Sequence, residues 1–380
     1  MTSDLNTAFG HRPIYTRGEA ATFIPHSSFL IPNFSFKQRF HPQSVDGTLP
    51  TRLILNLERI YLYFQRTISM KKLLSILLLL LIVCGCGLGA LIWVTPPPPT
   101  PPMIAPPPPS KAVSAALIDG NTGEVLADKE GSLRIYPAST TKILTCIIAL
   151  EEGKAKLDQN AVISPRAMAQ DGTNIGLRPD MPLSLHQLLY GMMLISGNDA
   201  AVSVAETVGG SYGRFIEMMN EKAASIGVHD SHFANPNGLT DPNHYTTAYD
   251  MAKIAAYAMK NPDFRDIVKR PSYPMTYRNG VYRNVENRNE FLTSHYEGAN
   301  GVKTGMTEAA GDCLVASAER DGRLMIVALY DDTDRWKEAR TWLDYGFAEA
   351  EKKAEYERKL AQEPKVYKLV NQLLGREPRD

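Results

Sequence analysis

The sequence predicts an α/β sandwich of the α+β kind: an antiparallel sheet built from both ends of the folded region, helices packed on it, and an N-terminal transmembrane helix. Three observations carry this expectation. Strand-like alternation flanks the Asn121-Thr122-Gly123 turn and returns only after Pro271. Between these two regions, apolar residues recur at helical spacing. Ahead of both lies a run of 22 uncharged residues, Leu73 to Val94.

Residues 1–69 show scattered proline and aromatics, little periodicity and no motif, with one helix expected around Leu53–Gln65. They read as a disordered cytoplasmic tail, or as an upstream extension from a misplaced start, since Met70-Lys71-Lys72 is how an export segment usually begins. Residues 70–95 form the expected signal-anchor. At about 1.5 Å per residue, 22 residues span a hydrocarbon core, and lysines on the N-terminal flank place that flank in the cytoplasm. A buried core helix fits poorly because the poly-Leu tract has no polar face. Of the other two readings, a cleaved signal lacks a small-residue cleavage site. A lipoprotein site at Val83-Cys84-Gly85-Cys86, acylated on Cys86, is only a faint resemblance. Residues 96–110 hold ten of the 26 prolines and read as an extended, stiff stalk.

The catalytic domain is expected over 111–348. Strands at 112–119 and 124–128 open it. A helix over 139–151 follows, with Ile143, Cys146, Ile147 and Leu150 on one face, then helices at 183–194, 199–208, 212–226 and 248–260. Strands at 273–277 and 281–285 flank Asn279-Gly280. Three more, at 298–304, 312–320 and 324–330, lead to a closing helix from about Thr333. Residues 349–380 read as a charged helical tail.

Charge excludes one class of function. The 41 basic and 41 acidic residues balance, so nothing points to nucleic acid. Residues 1–72 carry nine Lys/Arg against four Asp/Glu, an excess placed just before the apolar run. Two of the four cysteines, Cys84 and Cys86, fall within that run. Cys146 and Cys313 are expected as two separate buried thiols rather than a bridge. No cofactor or metal site is predicted; His229 and His232 lack a third ligand at motif spacing.

Three short elements carry the chemistry: Ser139-Thr-Thr-Lys142, Ser196-Gly-Asn198 and Lys303-Thr-Gly305. S-x-x-K alone means little, and Ser69-Met-Lys-Lys72 is a chance match. The ordered set is informative. A serine hydroxyl needs an adjacent base, and residues three apart on a helix share a face, so Lys142 points the same way as Ser139. Lysine accepts a proton near neutrality only if burial or a second cation lowers its affinity for protons. Lys303 is that cation, so Lys142 is read as the neutral base and Lys303 as the charged anchor. Asn198 is placed to bridge Lys142 and a substrate carbonyl, and Ser196 to relay a proton to the leaving amine. Lys303 and Thr304 suit a terminal carboxylate, and Gly305 lets substrate approach the strand edge. The unpaired N–H at Ser139 suits an oxyanion, with a second donor from the backbone after Gly305.

Tyr136-Pro-Ala-Ser-Thr-Thr-Lys-Ile-Leu-Thr145, Ser196-Gly-Asn198 and Gly301-Val-Lys-Thr-Gly305 together resemble the serine D-alanyl-D-alanine carboxypeptidases, the low-molecular-mass penicillin-binding proteins. Phe233-Ala-Asn-Pro-Asn-Gly-Leu239 and Asn287-Arg-Asn289 strengthen the resemblance, which runs from about Lys111 to Phe347. It implies a β-lactamase/transpeptidase-like fold. It also implies removal of the terminal D-alanine from peptidoglycan stem peptides through an acyl-enzyme, and acylation by β-lactams; the cytoplasmic membrane is the partner expected from residues 70–95. By resemblance Ser139 is nucleophile, Lys142 base, Ser196 and Asn198 proton-transfer partners, and Lys303 with Thr304 the carboxylate reader, with the Ser139 and Met306 N–H groups forming the oxyanion hole. Two departures stand out. Many relatives add a C-terminal β-sandwich and amphipathic anchor, whereas a short charged tail is expected here. Met306 also stands where aromatic residues or histidine are common. Two other functions fit the sequence less well. A serine β-lactamase lacks support because no E-x-x-L-N run lies between Ser196 and Lys303. A non-catalytic muropeptide or β-lactam sensor would leave the catalytic set without purpose.

Overall fold

The computed structural model describes residues 69–376, together with Asn56, Leu57, Arg59, Ile60, Leu62 and Tyr63, which are helical. The expectations for residues 1–55, 58, 61, 64–68 and 377–380 lie outside the described residues. The chain divides into two units, Met1–Cys86 and Gly87–Asp380. Helix α1, Met70–Val94, is long and apolar enough to cross a membrane and has no buried residue.

Strands β1 (Ser114–Asp119), β2 (Val125–Lys129), β5 (Ala299–Thr307), β6 (Gly311–Arg320) and β7 (Arg323–Tyr330) form one sheet in the order β2-β1-β7-β6-β5. Every pairing in it is antiparallel. The N-terminal strands are thus joined directly to the last strand, as expected from the chain's two strand-rich ends. β3 (Ser272–Thr276) and β4 (Tyr282–Glu286) form a separate hairpin.

Between β2 and β3 lie α2 (Lys142–Glu152), α3 (Pro165–Met168), α4 (Leu185–Tyr190), α5 (Asn198–Gly209), α6 (Tyr212–Ile226), α7 (Ala248–Ala258) and α8 (Pro262–Val268). The sequence periodicity missed two of them. α3 is a single turn, and α8 opens on Pro262 capped by Asn261, too short to show a repeat. The expected helix at 139–151 is in fact two pieces. Ala138–Thr141 is a 3₁₀ turn and the α-helix begins at Lys142. The expected helix at 183–194 likewise ends early, passing into a π-turn over Gly191–Ile195.

The sheet is apolar on both faces. Ala116, Ile118, Val315, Ile326 and Ala328 pack with the helical layer, while Ala115, Leu117, Leu314, Val327 and Leu329 pack against α9 (Arg335–Gln362) through Trp342 and Leu343. Period-two side-chain alternation sends alternate residues to opposite layers. α2 lies inside the helical layer with every residue from Lys142 to Leu150 buried. A helix hydrophobic nearly all round is a core helix, and this one carries a lysine into the core.

The proline-rich segment does not stand free. It runs antiparallel along α9: Ser110 Oγ donates to Glu338, the Lys111 N–H donates to Glu338 Oε1 at 2.7 Å, and Tyr345 Oη donates to the Ala105 carbonyl at 2.9 Å. α9 stops at Gln362, and after Pro364 a second helix, α10 (Lys365–Leu373), buries Val370 and Asn371. Asn371 Nδ2 donates to the Pro96 carbonyl at 3.1 Å, holding the far end of the strap. The tail expected to be a single charged helix therefore contains a break and a packed segment.

Candidate active site

Ser139 sits on the 3₁₀ turn at the entrance to α2. Ala138, just before it, has φ 47°, a left-handed conformation unfavourable for alanine. The turn leaves Ser139 half-buried at the mouth of a cavity of about 630 Å³, lined also by Thr173, Ser196, Arg288, Thr304, Gly305, Met306, Asp312 and Arg335.

Lys142 lies beneath the serine and is fully buried. Its Nζ is 2.9 Å from Ser139 Oγ, 2.7 Å from Asn198 Oδ1 and 2.6 Å from the Asn237 carbonyl oxygen. The directions of these bonds are informative. An amide oxygen and a backbone carbonyl only accept. A neutral amine therefore spends its two N–H bonds on Asn198 and Asn237, and its lone pair faces the serine hydroxyl. Burial holds Lys142 well below the usual lysine range; the charge of Lys303 pushes the same way and Asp199 opposes.

Asn198 begins α5, with Gly197 between it and the left-handed Ser196 (φ 75°). Its Nδ2 donates to the Asp171 carbonyl at 2.7 Å, which fixes Oδ1 toward Lys142. This commits one of the two amide N–H bonds to the loop and leaves the other for the expected bridge to a substrate carbonyl. Asp199 anchors that loop. Its carboxylate accepts the N–H groups of Ile175, Gly176 and Leu177 at 2.8–3.0 Å.

The third element is on β5, an edge strand. A Cβ on Gly305 would stand 3.1 Å from both Ser139 N and Ala138 Cβ. Glycine is what allows the strand to lie against the nucleophile turn, bringing backbone after Gly305 near the Ser139 N–H. Met306 is exposed, its side chain turned outward. Lys303 is buried and donates to the Thr304 carbonyl at 3.0 Å. Burial, reinforced by Arg288 and Arg335, lowers it to about 7.

The structure thus gathers Ser139, Lys142, Ser196, Asn198, Lys303, Thr304, Gly305 and Met306 around one cleft. It adds groups that motif reading missed. The Asn237 carbonyl is a backbone atom with no side-chain signature, although it belongs to the Phe233–Leu239 run. Arg335 pairs with Asp312 at 2.5 Å and donates to the Gly305 carbonyl at 3.3 Å, and its buried Nε has no hydrogen-bond partner. Arg288 donates to Thr173 Oγ1 at 3.0 Å. Cys146 and Cys313 are free and buried, as expected, and burial pushes both thiols up. Among the described residues no group of His, Cys, Asp or Glu could hold a metal ion.

Residues 102–333 match the family model described as Peptidase_S11, D-alanyl-D-alanine carboxypeptidase. The chain is 35% identical over 259 residues to D-alanyl-D-alanine carboxypeptidase DacF of Bacillus subtilis, covering 65% of each protein. It is 37% identical over 240 residues to D-alanyl-D-alanine carboxypeptidase DacB2 of Mycobacterium tuberculosis, covering 60% of this chain and 80% of that one. Among solved structures, the Streptomyces K15 DD-transpeptidase superposes with a TM-score of 0.60 at 34% identity, over 64% of this chain and 100% of its own.

Proposed function

Since the chain belongs to the D-alanyl-D-alanine carboxypeptidase family Peptidase_S11, we propose that it removes the terminal D-alanine from peptidoglycan stem peptides through an acyl-enzyme on Ser139. β-Lactams would acylate the same serine. The observation that carries the reading is the Lys142 amine, buried and satisfied by two acceptors on one side while facing the serine hydroxyl on the other.

In this mechanism the terminal carboxylate of the substrate docks on Lys303, Thr304 and Arg335. The scissile carbonyl then points its oxygen at the N–H groups of Ser139 and Met306. Lys142 takes the hydroxyl proton as Ser139 Oγ bonds to the carbonyl carbon, and the negative charge passes to the carbonyl oxygen, where the two N–H groups stabilise it. As the tetrahedral intermediate collapses, the C–N bond breaks and the leaving amine receives a proton from Lys142 through Ser196. Water repeats the sequence in reverse roles, releasing the shortened peptide and the serine. The catalytic domain is assigned to residues 111–348. We read α1 as a membrane anchor that leaves this domain extracytoplasmic, supported by Lys71 and Lys72 on its N-terminal flank.

Intact-mass measurement after exposure to benzylpenicillin, followed by peptide mapping, tests this. One penicilloyl adduct on the peptide containing Ser139, together with D-alanine release from a D-Ala-D-Ala peptide, is expected. D-Alanine release that survives Ser139→Ala would overturn the reading. Rapid loss of the adduct would instead favour β-lactamase action.

A further inference from the structure

The loop at residues 233–239 lends Lys142 one of its three oxygen partners, yet no covalent neighbour holds that loop against the Ser139 turn. His244 does. The ring is 1% exposed, with its edge against Phe233, the centroids 5.7 Å apart at 81°. Its Nδ1 accepts the backbone N–H of Ala234 at 2.9 Å and of Asn235 at 3.3 Å, and its Nε2 lies 2.8 Å from Thr141 Oγ1. A backbone N–H only donates, so Nδ1 is unprotonated and the ring's proton sits on Nε2, donating to Thr141. The Thr141 hydroxyl in turn donates to the Ala138 carbonyl at 2.9 Å.

That carbonyl belongs to the left-handed residue immediately before the nucleophile. The loop also presses on it directly. Gly238 (φ 89°) is so close that a Cβ there would stand 1.8 Å from the Ala138 oxygen. The loop and the turn therefore meet at the Ala138 carbonyl and are tied across it by the His244 ring, while Thr145 Oγ1 donates to the Pro236 carbonyl at 2.7 Å and holds the same loop to α2. Burial pushes His244 down to about 4, with Asp241 opposing, so the ring stays neutral around neutral pH.

We propose that His244 is a positioning residue for acylation: its two ring nitrogens register the loop carrying the Asn237 carbonyl against the turn carrying Ser139, and so aim the Lys142 amine at the serine. This rests on reading Ser139 and Lys142 as nucleophile and base. His244 touches neither substrate nor the reacting atoms. It acts through Thr141, Ala138 and the loop.

Two isosteric variants of the full chain separate the two halves of the tie. His244→Asn keeps an acceptor where Nδ1 was and loses the bond to Thr141. His244→Gln keeps a donor where Nε2 was and loses the loop. Each is expected to lower the acylation rate by benzylpenicillin and kcat on a D-Ala-D-Ala peptide by about 10- to 100-fold, the scale of a small misplacement of reacting groups, with KM moving less than threefold. Thr141→Val is expected to act through the same tie, so its combination with His244→Asn costs no more than the larger single effect. Thermal unfolding monitored by circular dichroism identifies the folded variants, and rates are taken per acylable site. Folded His244→Asn and His244→Gln proteins that acylate within twofold of wild type would overturn the proposal, as would additive losses in the double variant. If Ser139→Ala still releases D-alanine, the underlying site assignment has failed. If Ser139→Ala is inert and both His244 variants are fully active, only the positioning role has failed.

Discussion

Lys142 and Lys303 are the same residue at nearly the same depth, 0% and 2% exposed, and the proposed mechanism gives them opposite tasks. Lys142 stands among three oxygen atoms, two of which can only accept. Lys303 makes one bond to a neighbouring carbonyl and faces the arginines at 288 and 335. Burial alone lowers both. What separates them is what each still lacks. The first needs a proton donor, which Ser139 supplies; the second needs an anion, which only a ligand can supply. A lysine's role is therefore written in its unfilled bond rather than in its depth.

The sharpest way to break this contrast is to remove the base. Lys142→Met should lower acylation by benzylpenicillin by about 10³-fold or more, the upper range for a positioned base, while the protein still folds. Stopped-flow or mass-resolved acylation measures it. Removing the anchor should act more selectively. Lys303→Ala should reduce kcat/KM on a peptide with a free terminal carboxylate by about 10- to 100-fold, as expected for a lost hydrogen bond to a charged group. Its C-terminal methyl ester should be affected much less. Equal losses on both substrates would mean that Lys303 serves the chemistry rather than the carboxylate.

The pH dependence separates the two lysines without mutation. As the proposed base, Lys142 acts when neutral, so its limb is on the acid side, below the ordinary lysine range. Lys303 binds when charged, so kcat/KM should fall as pH rises through about 7. Bound carboxylate stabilises the ammonium form, so the same limb should move to higher pH in kcat. A profile of kcat/KM that is flat from pH 6 to 9 on the free-acid peptide would contradict this. The smallest expected effect is at the seam between the two regions. Gly305→Ala would push a methyl to 3.1 Å from Ser139 N, and about a tenfold slower acylation is expected, read by the same assay.

Much of this contrast was legible in the sequence, and the reason is chemical. S-x-x-K places its two groups on one face by local geometry, and K-T-G with S-x-N names side chains whose chemistry is unambiguous once they occur in order. The sheet built from both chain ends was legible too, because β1, β5, β6 and β7 are long enough to show alternation or an apolar run. What stayed hidden was backbone or long-range. The Asn237 carbonyl carries no side-chain signal. Arg335 reaches the cleft only because α9 starts beside β6. Asp199 matters through three N–H groups some two dozen residues upstream. The 3₁₀ turn at Ser139 and the π-turn at Gly191–Ile195 replaced continuous α-helix, a change of hydrogen-bond pattern over a single turn that side-chain periodicity does not register.

The strap along α9 turns a spacer into a measured part. A flexible coil of about 15 residues has a root-mean-square span of only about 20 Å, whereas the same number in polyproline geometry reaches about 45 Å. Here both ends are tied, at Glu338 and at Asn371. Each polyproline residue advances about 3.1 Å and each helical residue about 1.5 Å, so inserting one proline demands roughly two more helical residues to keep the ties aligned. Length changes in this segment should therefore drift together with length changes in the C-terminal helix, as the two rails of a ladder must.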